Sequence, residues 1–332
     1  MLGEAMCRSG PGVPVSSYEV LTMGRISVDV YPDQVRVGLE DVTSFGKYVG
    51  GSSTNVAVAA ARHSRRAATI TRTGDDPFGT FLRRSLRDFG VDDRLVRPVT
   101  GLKTPVTFCE IFPPDNFPLY FYGREPTAPD LQIRAEELDY DAIREAGVFW
   151  VTLTGLCQEP SRTATLAALE ARGRRAITVL DLDYRPMFWE SPQAAGEQAR
   201  TALALVTVAV GNLDECETAV GLRDPDAAAD ALRGLGVDTA VVKRGPDGVL
   251  AVDATGRYAV PPTAVDVVNG LGAGDGFGGA VCHGMLSGWD LDRTIRFANA
   301  AGAIVASRLA CADAMPTTEE VISLMQQRAH AT

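Results

Sequence analysis

Short apolar runs alternate along this chain with longer amphipathic segments, and that alternation limits its fold more than any other feature. Residues 20–30, 67–71, 148–153, 176–182, 207–210 and 239–243 read as strands, and 54–61, 78–89, 161–172, 194–205 and 227–235 as the helices between them. A strand that is apolar on both faces has to be covered on both faces. Helices in the crossovers of a parallel sheet provide that cover, so the spacing predicts an α/β fold with a mainly parallel central sheet. A hairpin follows across 249–260, and the chain ends in helices over 276–286, 291–308 and 318–328.

Two stretches break the rhythm. Residues 30–48 and 104–124 are β-rich, aromatic and punctuated by proline, with no helix between their strands. They read as a small antiparallel β flap inserted into an α/β body that spans 18–332. A lid of this kind suits chemistry that must exclude water; the plainer alternative is a decorated sheet edge. The flap also offers a surface through which a homodimer could form. Residues 1–17 lack the apolar core of a signal peptide and are expected to be a flexible leader.

Composition removes several function classes. The formal charge is −10, from 32 basic against 42 acidic residues, with no basic cluster to offset it. Nucleic-acid and membrane binding are therefore not expected, and no apolar run is long enough to span a bilayer. Three histidines, His63, His283 and His330, lie too far apart in sequence to suggest a multi-His metal site. Six cysteines show no C-x-x-C spacing and read as buried thiols of a cytoplasmic protein.

The chemistry concentrates in Asn269-Gly270-Leu271-Gly272-Ala273-Gly274-Asp275-Gly276-Phe277, a Gly-rich loop leading into a helix. Such a start presents unpaired backbone N–H groups and a positive dipole end to an anion. Gly274, Gly276 and Gly279 also satisfy G-x-G-x-x-G, but a dinucleotide fingerprint belongs inside a βαβ unit, and here helices follow almost to the end of the chain.

Taken with three further motifs, the loop resembles that of the ribokinase-like, or PfkB, sugar kinases. An early Gly50-Gly51-Ser52-Ser53-Thr54-Asn55, a middle Asn212-Leu213-Asp214-Glu215, the strand and turn Val241-Val242-Lys243-Arg244-Gly245 and the late Gly272–Asp275 stand in the family's order. The resemblance implies a three-layer ribokinase-like fold and an ATP-dependent phosphotransferase with an alcohol acceptor. It implies Asp275 as the base, with the amides of Gly272, Ala273 and Gly274 on the moving phosphoryl group. It places Asp29, Gly50, Gly51 and Asn55 at the sugar, and Asn212, Lys243, Gly245 and Asn299 at the nucleotide. Glu215 would serve Mg²⁺ through water, in keeping with that ion's retained hydration. Many members carry Asp-Thr two residues before GAGD, where the acid helps to hold a monovalent cation. Asn269 and Gly270 stand there in this chain, so only a weak dependence on K⁺ is expected.

Within the family, 24–29, 44–55 and 180–186 most resemble kinases of 5-dehydro-2-deoxy-D-gluconate, which act on its terminal hydroxyl in inositol catabolism. A sugar acid calls for a cation, and Lys47, Arg124 and Arg185 are the candidates. Kinases of 2-dehydro-3-deoxygluconate, fructose or ribose would share nearly every motif. A non-catalytic sugar-binding regulator would keep the fold, though an intact GAGD argues against it.

Overall fold

The computed structural model describes residues 17–175 and 177–329. The proposed leader therefore lies almost wholly outside the described residues. The main sheet has ten strands. Across it run Arg257–Val260, Val249–Val252, Thr239–Lys243, Val208–Asn212, Ile177–Asp181, Val148–Thr152, Val20–Met23, Ala67–Gly74 and Val91–Asp92, with Val96–Val99 also paired to Ala67–Gly74. Every pairing from Thr239–Lys243 to Val91–Asp92 is parallel, and only the hairpin edge is antiparallel.

The strands are buried on both faces because the helices divide into two layers. Ser52–Arg62, Ala273–Leu286 and Leu291–Ala306 pack on one face, and Ser161–Arg172, Pro192–Leu203 and Pro225–Gly234 on the other. The abundant alanine and glycine let helices approach closely. A Cβ added at Gly279 would lie 2.3 Å from the Ala59 Cβ, so the Ser52–Arg62 and Ala273–Leu286 helices touch with almost nothing between them. Among the described residues no helix is long and apolar enough to cross a membrane.

The run over 20–30 is not one strand. Val20–Met23 belongs to the main sheet, Gly24 turns the chain at φ +149°, and Ser27–Pro32 enters a second sheet. That sheet has four strands, in the order Phe45–Gly50, Ser27–Pro32, Val106–Cys109, Leu119–Tyr122. It consists of two antiparallel pairs joined by one parallel pairing, Val28–Val30 against Val106–Phe108. This is the lid.

Candidate active site

Thr152, Asp181, Asn212 and Lys243 are the last residues of neighbouring parallel strands. Ligands of open α/β sheets gather beyond these carboxyl ends. The GAGD loop crosses the same edge. Gly272 caps the Ala273–Leu286 helix at φ +79°, and a Cβ there would meet Cys311 Sγ at 2.7 Å, so both backbone and space require glycine. The loop separates two cavities. A narrow polar cleft of about 60 Å³ reaches Gly272 and Asp275 from the lid side. A wider, mostly apolar groove of about 690 Å³ reaches Ala273 and Gly274 from the other.

Asp275 lines the polar cleft. Its Oδ1 accepts from Ser52 Oγ at 3.0 Å and its Oδ2 from Asn55 Nδ2 at 2.8 Å. Burial pushes its pKa up to about 6, against the pull of the Asn55 and Ser52 hydrogen bonds. Asn55 Oδ1 is buried without a partner, so this amide still has an acceptor to offer a hydroxyl.

Asp29 faces the same cleft from the lid. Ser27 Oγ donates to its Oδ1 at 2.9 Å and Tyr31 Oη to its Oδ2 at 3.0 Å. Gly50 lies beneath it: a Cβ at that position would sit 1.9 Å from Asp29 Oδ1. Gly51 holds φ +100°, and a Cβ on it would meet the Arg25 carbonyl at 2.5 Å. The glycine pair thus lets the carboxylate and the N-terminus of the Ser52–Arg62 helix come together. Burial also pushes Asp29 up to about 6.

The two raised carboxyls set the direction of the pH response. If Asp275 is the base and Asp29 grips a hydroxyl, as the resemblance implies, both work best ionised, and both lose that form as pH falls through about 6. We expect kcat/KM to be level above pH 7 and to fall below pH 6, by about tenfold per unit for one group and more steeply if both are required. A profile flat from pH 5 to 8 would contradict this.

Behind the cleft lies a buried charge cluster. Asp183 takes Arg185 Nη2 at 2.9 Å, Arg25 Nη2 at 3.5 Å and the Thr154 hydroxyl at 3.0 Å. Burial raises its pKa, but the Arg185 and Arg25 guanidinium groups outweigh burial and hold it below the usual carboxylate range. Arg185 Nη1 also lies 3.8 Å from Glu215 Oε1, and Lys243 Nζ lies 3.9 Å from Glu215 Oε2. Burial works against the Lys243 charge, yet Glu215, Asp181 and Asp275 hold the ammonium above its ordinary value. Asn212 and Glu215 form a capping box: Asn212 Oδ1 accepts from the Glu215 amide at 2.9 Å, and Glu215 Oε2 from the Asn212 amide at 2.7 Å. Neither lines the cleft or the groove. Glu215 reaches both cavities through its cations instead.

Lys243, Gly245 and Asn299 line the wider groove. Lys243 Nζ would be 3.3 Å from a Cβ at Gly274, which puts its charge against the GAGD helix start. Asn299 Nδ2 donates to the Pro261 carbonyl at 2.6 Å, leaving its Oδ1 for another partner. Asn269 is wholly buried and bridges the loop. Its Nδ2 donates to the Leu309 carbonyl at 2.6 Å, and its Oδ1 accepts from the Leu271 amide at 3.0 Å.

Two sequence-derived candidates are not at the cleft. Lys47 is paired with Val30, one residue out of step with Asp29 and Tyr48, so strand alternation turns it to the far face of the lid. There its ammonium lies 4.0 Å over the Phe81 ring. Arg124 is buried in a two-bond ion pair with Asp130, both contacts at 3.0 Å, and stacks on Phe188 at 4.6 Å. Asp130 is fully buried and also accepts from the Ile26 amide at 3.2 Å, so Arg124 ties the end of the lid to the linker between the two sheets. Sequence reasoning missed Arg25, which lines the cleft, and Ser52, which holds Asp275. A charged residue between two apolar strand segments was the signal for Arg25.

The model of the pfkB family carbohydrate kinases matches residues 18–318. The 5-dehydro-2-deoxygluconokinase of Clostridium tetani (strain Massachusetts / E88) is 31% identical over 318 residues, covering 93% of each chain. That of Shouchella clausii (strain KSM-K16) is 31% identical over 316 residues, covering 94% of this chain and 96% of its own. Among solved structures, fructokinase from Xylella fastidiosa with bound ATP superposes with a TM-score of 0.82 at 24% identity, covering 94% of this chain and 99% of its own. Aminoimidazole riboside kinase from Salmonella enterica, complexed with aminoimidazole riboside and an ATP analogue, superposes at 0.75 with 28% identity, covering 92% and 99%. With GAGD, the two cavities and the lid in place, these likenesses leave one assignment: the chain belongs to the pfkB family of carbohydrate kinases, phosphotransferases that use a sugar hydroxyl as acceptor.

Proposed function

We propose that the protein transfers the γ-phosphoryl group of ATP to the terminal hydroxyl of 5-dehydro-2-deoxy-D-gluconate. The observation that carries the reading is that two cavities flank the GAGD loop, with Asp275 lining the polar cleft and Ala273 and Gly274 the groove. The wider groove suits a nucleotide, with Asn299 and Gly245 along it and Lys243 at its inner end. The polar cleft suits a polyol, with Asp29 and the free Asn55 Oδ1 as acceptors. Relatives named 5-dehydro-2-deoxygluconokinase, similar over nearly the whole chain, support the sugar acid.

Phosphoryl transfer depends on positioning and charge neutralisation more than on covalent chemistry. Asp275 takes the hydroxyl proton as the oxygen attacks. The N–H groups of Gly272, Ala273 and Gly274 stabilise charge on the moving group, and Lys243 adds a cation on the nucleotide side. Among the described residues no cluster of three or more His, Cys, Asp or Glu side chains is built to hold a metal. The set fits a Mg²⁺ that arrives with the nucleotide and keeps its waters, with Glu215 as the outer acid; when bound, the ion would neutralise phosphate charge. Asp29, Tyr31, Thr107, Leu119 and Phe121 of the lid line the cleft, so closure of the lid over a bound sugar acid would remove competing water.

The test is ADP release from MgATP with 5-dehydro-2-deoxygluconate, 2-dehydro-3-deoxygluconate, fructose and ribose. The highest kcat/KM should fall on the first. Preference for fructose or ribose would overturn the sugar acid and leave the kinase reading standing.

A further inference from the structure

Arg25 has no role in the reaction as described so far, yet it is 6% exposed and lines the cleft. Few residues are more costly to bury, and the structure shows how it is held. Its carbonyl accepts from the Ser53 hydroxyl at 3.1 Å and the Thr54 hydroxyl at 2.9 Å, which anchors the backbone to the start of the Ser52–Arg62 helix. Its guanidinium lies beside the Phe121–Phe188 edge-to-face pair, 5.7 and 5.8 Å from the two ring centres, which are 4.9 Å apart. One contact, Nη2 to Asp183 at 3.5 Å, is a loose ion pair, and Nε has no hydrogen-bond partner.

Arg25 is left with the weaker pairing: Arg185 holds the shorter bond to Asp183 and also faces Glu215 at 3.8 Å. Arg185 Nε is likewise without a partner. Asp29, the other carboxylate near Arg25, already accepts from Ser27 and Tyr31 and makes no hydrogen bond to Arg25. An incoming carboxylate would satisfy the buried Nε and give Arg25 a charge-assisted bond better than its 3.5 Å contact with Asp183. A neutral hydroxymethyl group would offer that buried cation only a neutral acceptor.

We propose that Arg25 is the specificity-determining residue of this kinase, binding the carboxylate of a sugar acid through Nε and the neighbouring Nη. The inference rests on the sugar-acid reading above. It moves to Arg25 the role offered to Arg124, which pairs with Asp130 and lines a neighbouring cavity, and to Lys47, which lies on the far face of the lid.

The experiment measures binding by calorimetry without nucleotide, using 5-dehydro-2-deoxygluconate and the same chain with its carboxylate reduced to a hydroxymethyl group. Wild type should prefer the acid. Arg25→Met should lower the acid-to-neutral ratio by roughly 10–150-fold, the range for a hydrogen bond to a charged group. Arg25→Lys keeps a partner for Asp183 but lacks the planar fork, so it should fold even if the Met variant does not and still lower the ratio about tenfold or more. Equal losses for both ligands, or an unchanged ratio in a folded variant, would overturn the role of Arg25 while wild-type preference for the acid kept the substrate reading intact. A wild type without preference for the acid would overturn the substrate reading and this inference together.

Discussion

Asp275→Asn is expected to give a folded protein that still binds ATP and sugar and turns over about 10²–10⁴-fold more slowly, the usual cost of removing a general base. The substitution keeps the size of the side chain. Ser52 can still donate to the remaining carbonyl oxygen. The new amide nitrogen would face Asn55 Nδ2, and a flip of Asn55 would present its presently unpaired Oδ1 instead. The fold can therefore absorb the change, and what disappears is basicity. Thermal unfolding and nucleotide calorimetry should look near wild type and sugar binding should weaken only modestly, while kcat collapses. A folded variant with more than about a third of wild-type kcat would remove Asp275 from the proton-accepting role.

Arg124→Ala should damage stability rather than specificity. The ion pair with Asp130 has side-chain exposures of 7% and 0%. Removing the cation leaves a buried carboxylate with only the Ile26 amide for company, a loss on the order of 3–5 kcal/mol. Phe188 loses its stacked guanidinium as well. We expect a clearly lower unfolding temperature and similar losses of kcat/KM on acid and neutral sugars. Arg124→Ala combined with Asp130→Asn should recover much of the stability, because the stranded charge is gone. An unchanged unfolding temperature with loss confined to the sugar acid would mean that Arg124 reaches the substrate after all.

These two residues mark where the sequence could be read and where it could not. The meeting of Asp275, Gly272 and Asn55 at one cleft was legible because the motifs that carry them are written in local backbone. Tiny residues at a helix start, or a glycine pair before an amide, do the same thing wherever the fold puts them. The parallel strands were legible for a similar reason: runs such as 239–243 are short, β-branched and apolar on both faces. Arg124 and Lys47 depended on placement. Alternation along Phe45–Gly50 decides which lid face Lys47 takes, and a partner six residues on consumes Arg124. Hydropathy also carries no mark for a change of sheet, which is why 20–30 read as one strand although Gly24 divides it. The Ala273–Leu286 helix was placed from 276 because Gly272 and Gly274 lower helix propensity where the structure starts it, at Ala273. Asn212 and Glu215 show the two kinds of reading together, since a capping box and an acid facing two cations are here the same pair.

The central claim is direct transfer from ATP to the terminal hydroxyl of a sugar acid, with Asp275 as base. Its most direct measurement is product analysis by ³¹P NMR and mass spectrometry after incubation with MgATP and 5-dehydro-2-deoxygluconate. The account predicts one ADP for each phosphate ester, with the phosphate on the primary hydroxyl and the carboxylate free. ADP released without a phosphorylated sugar, or an ester at any other oxygen, would contradict it.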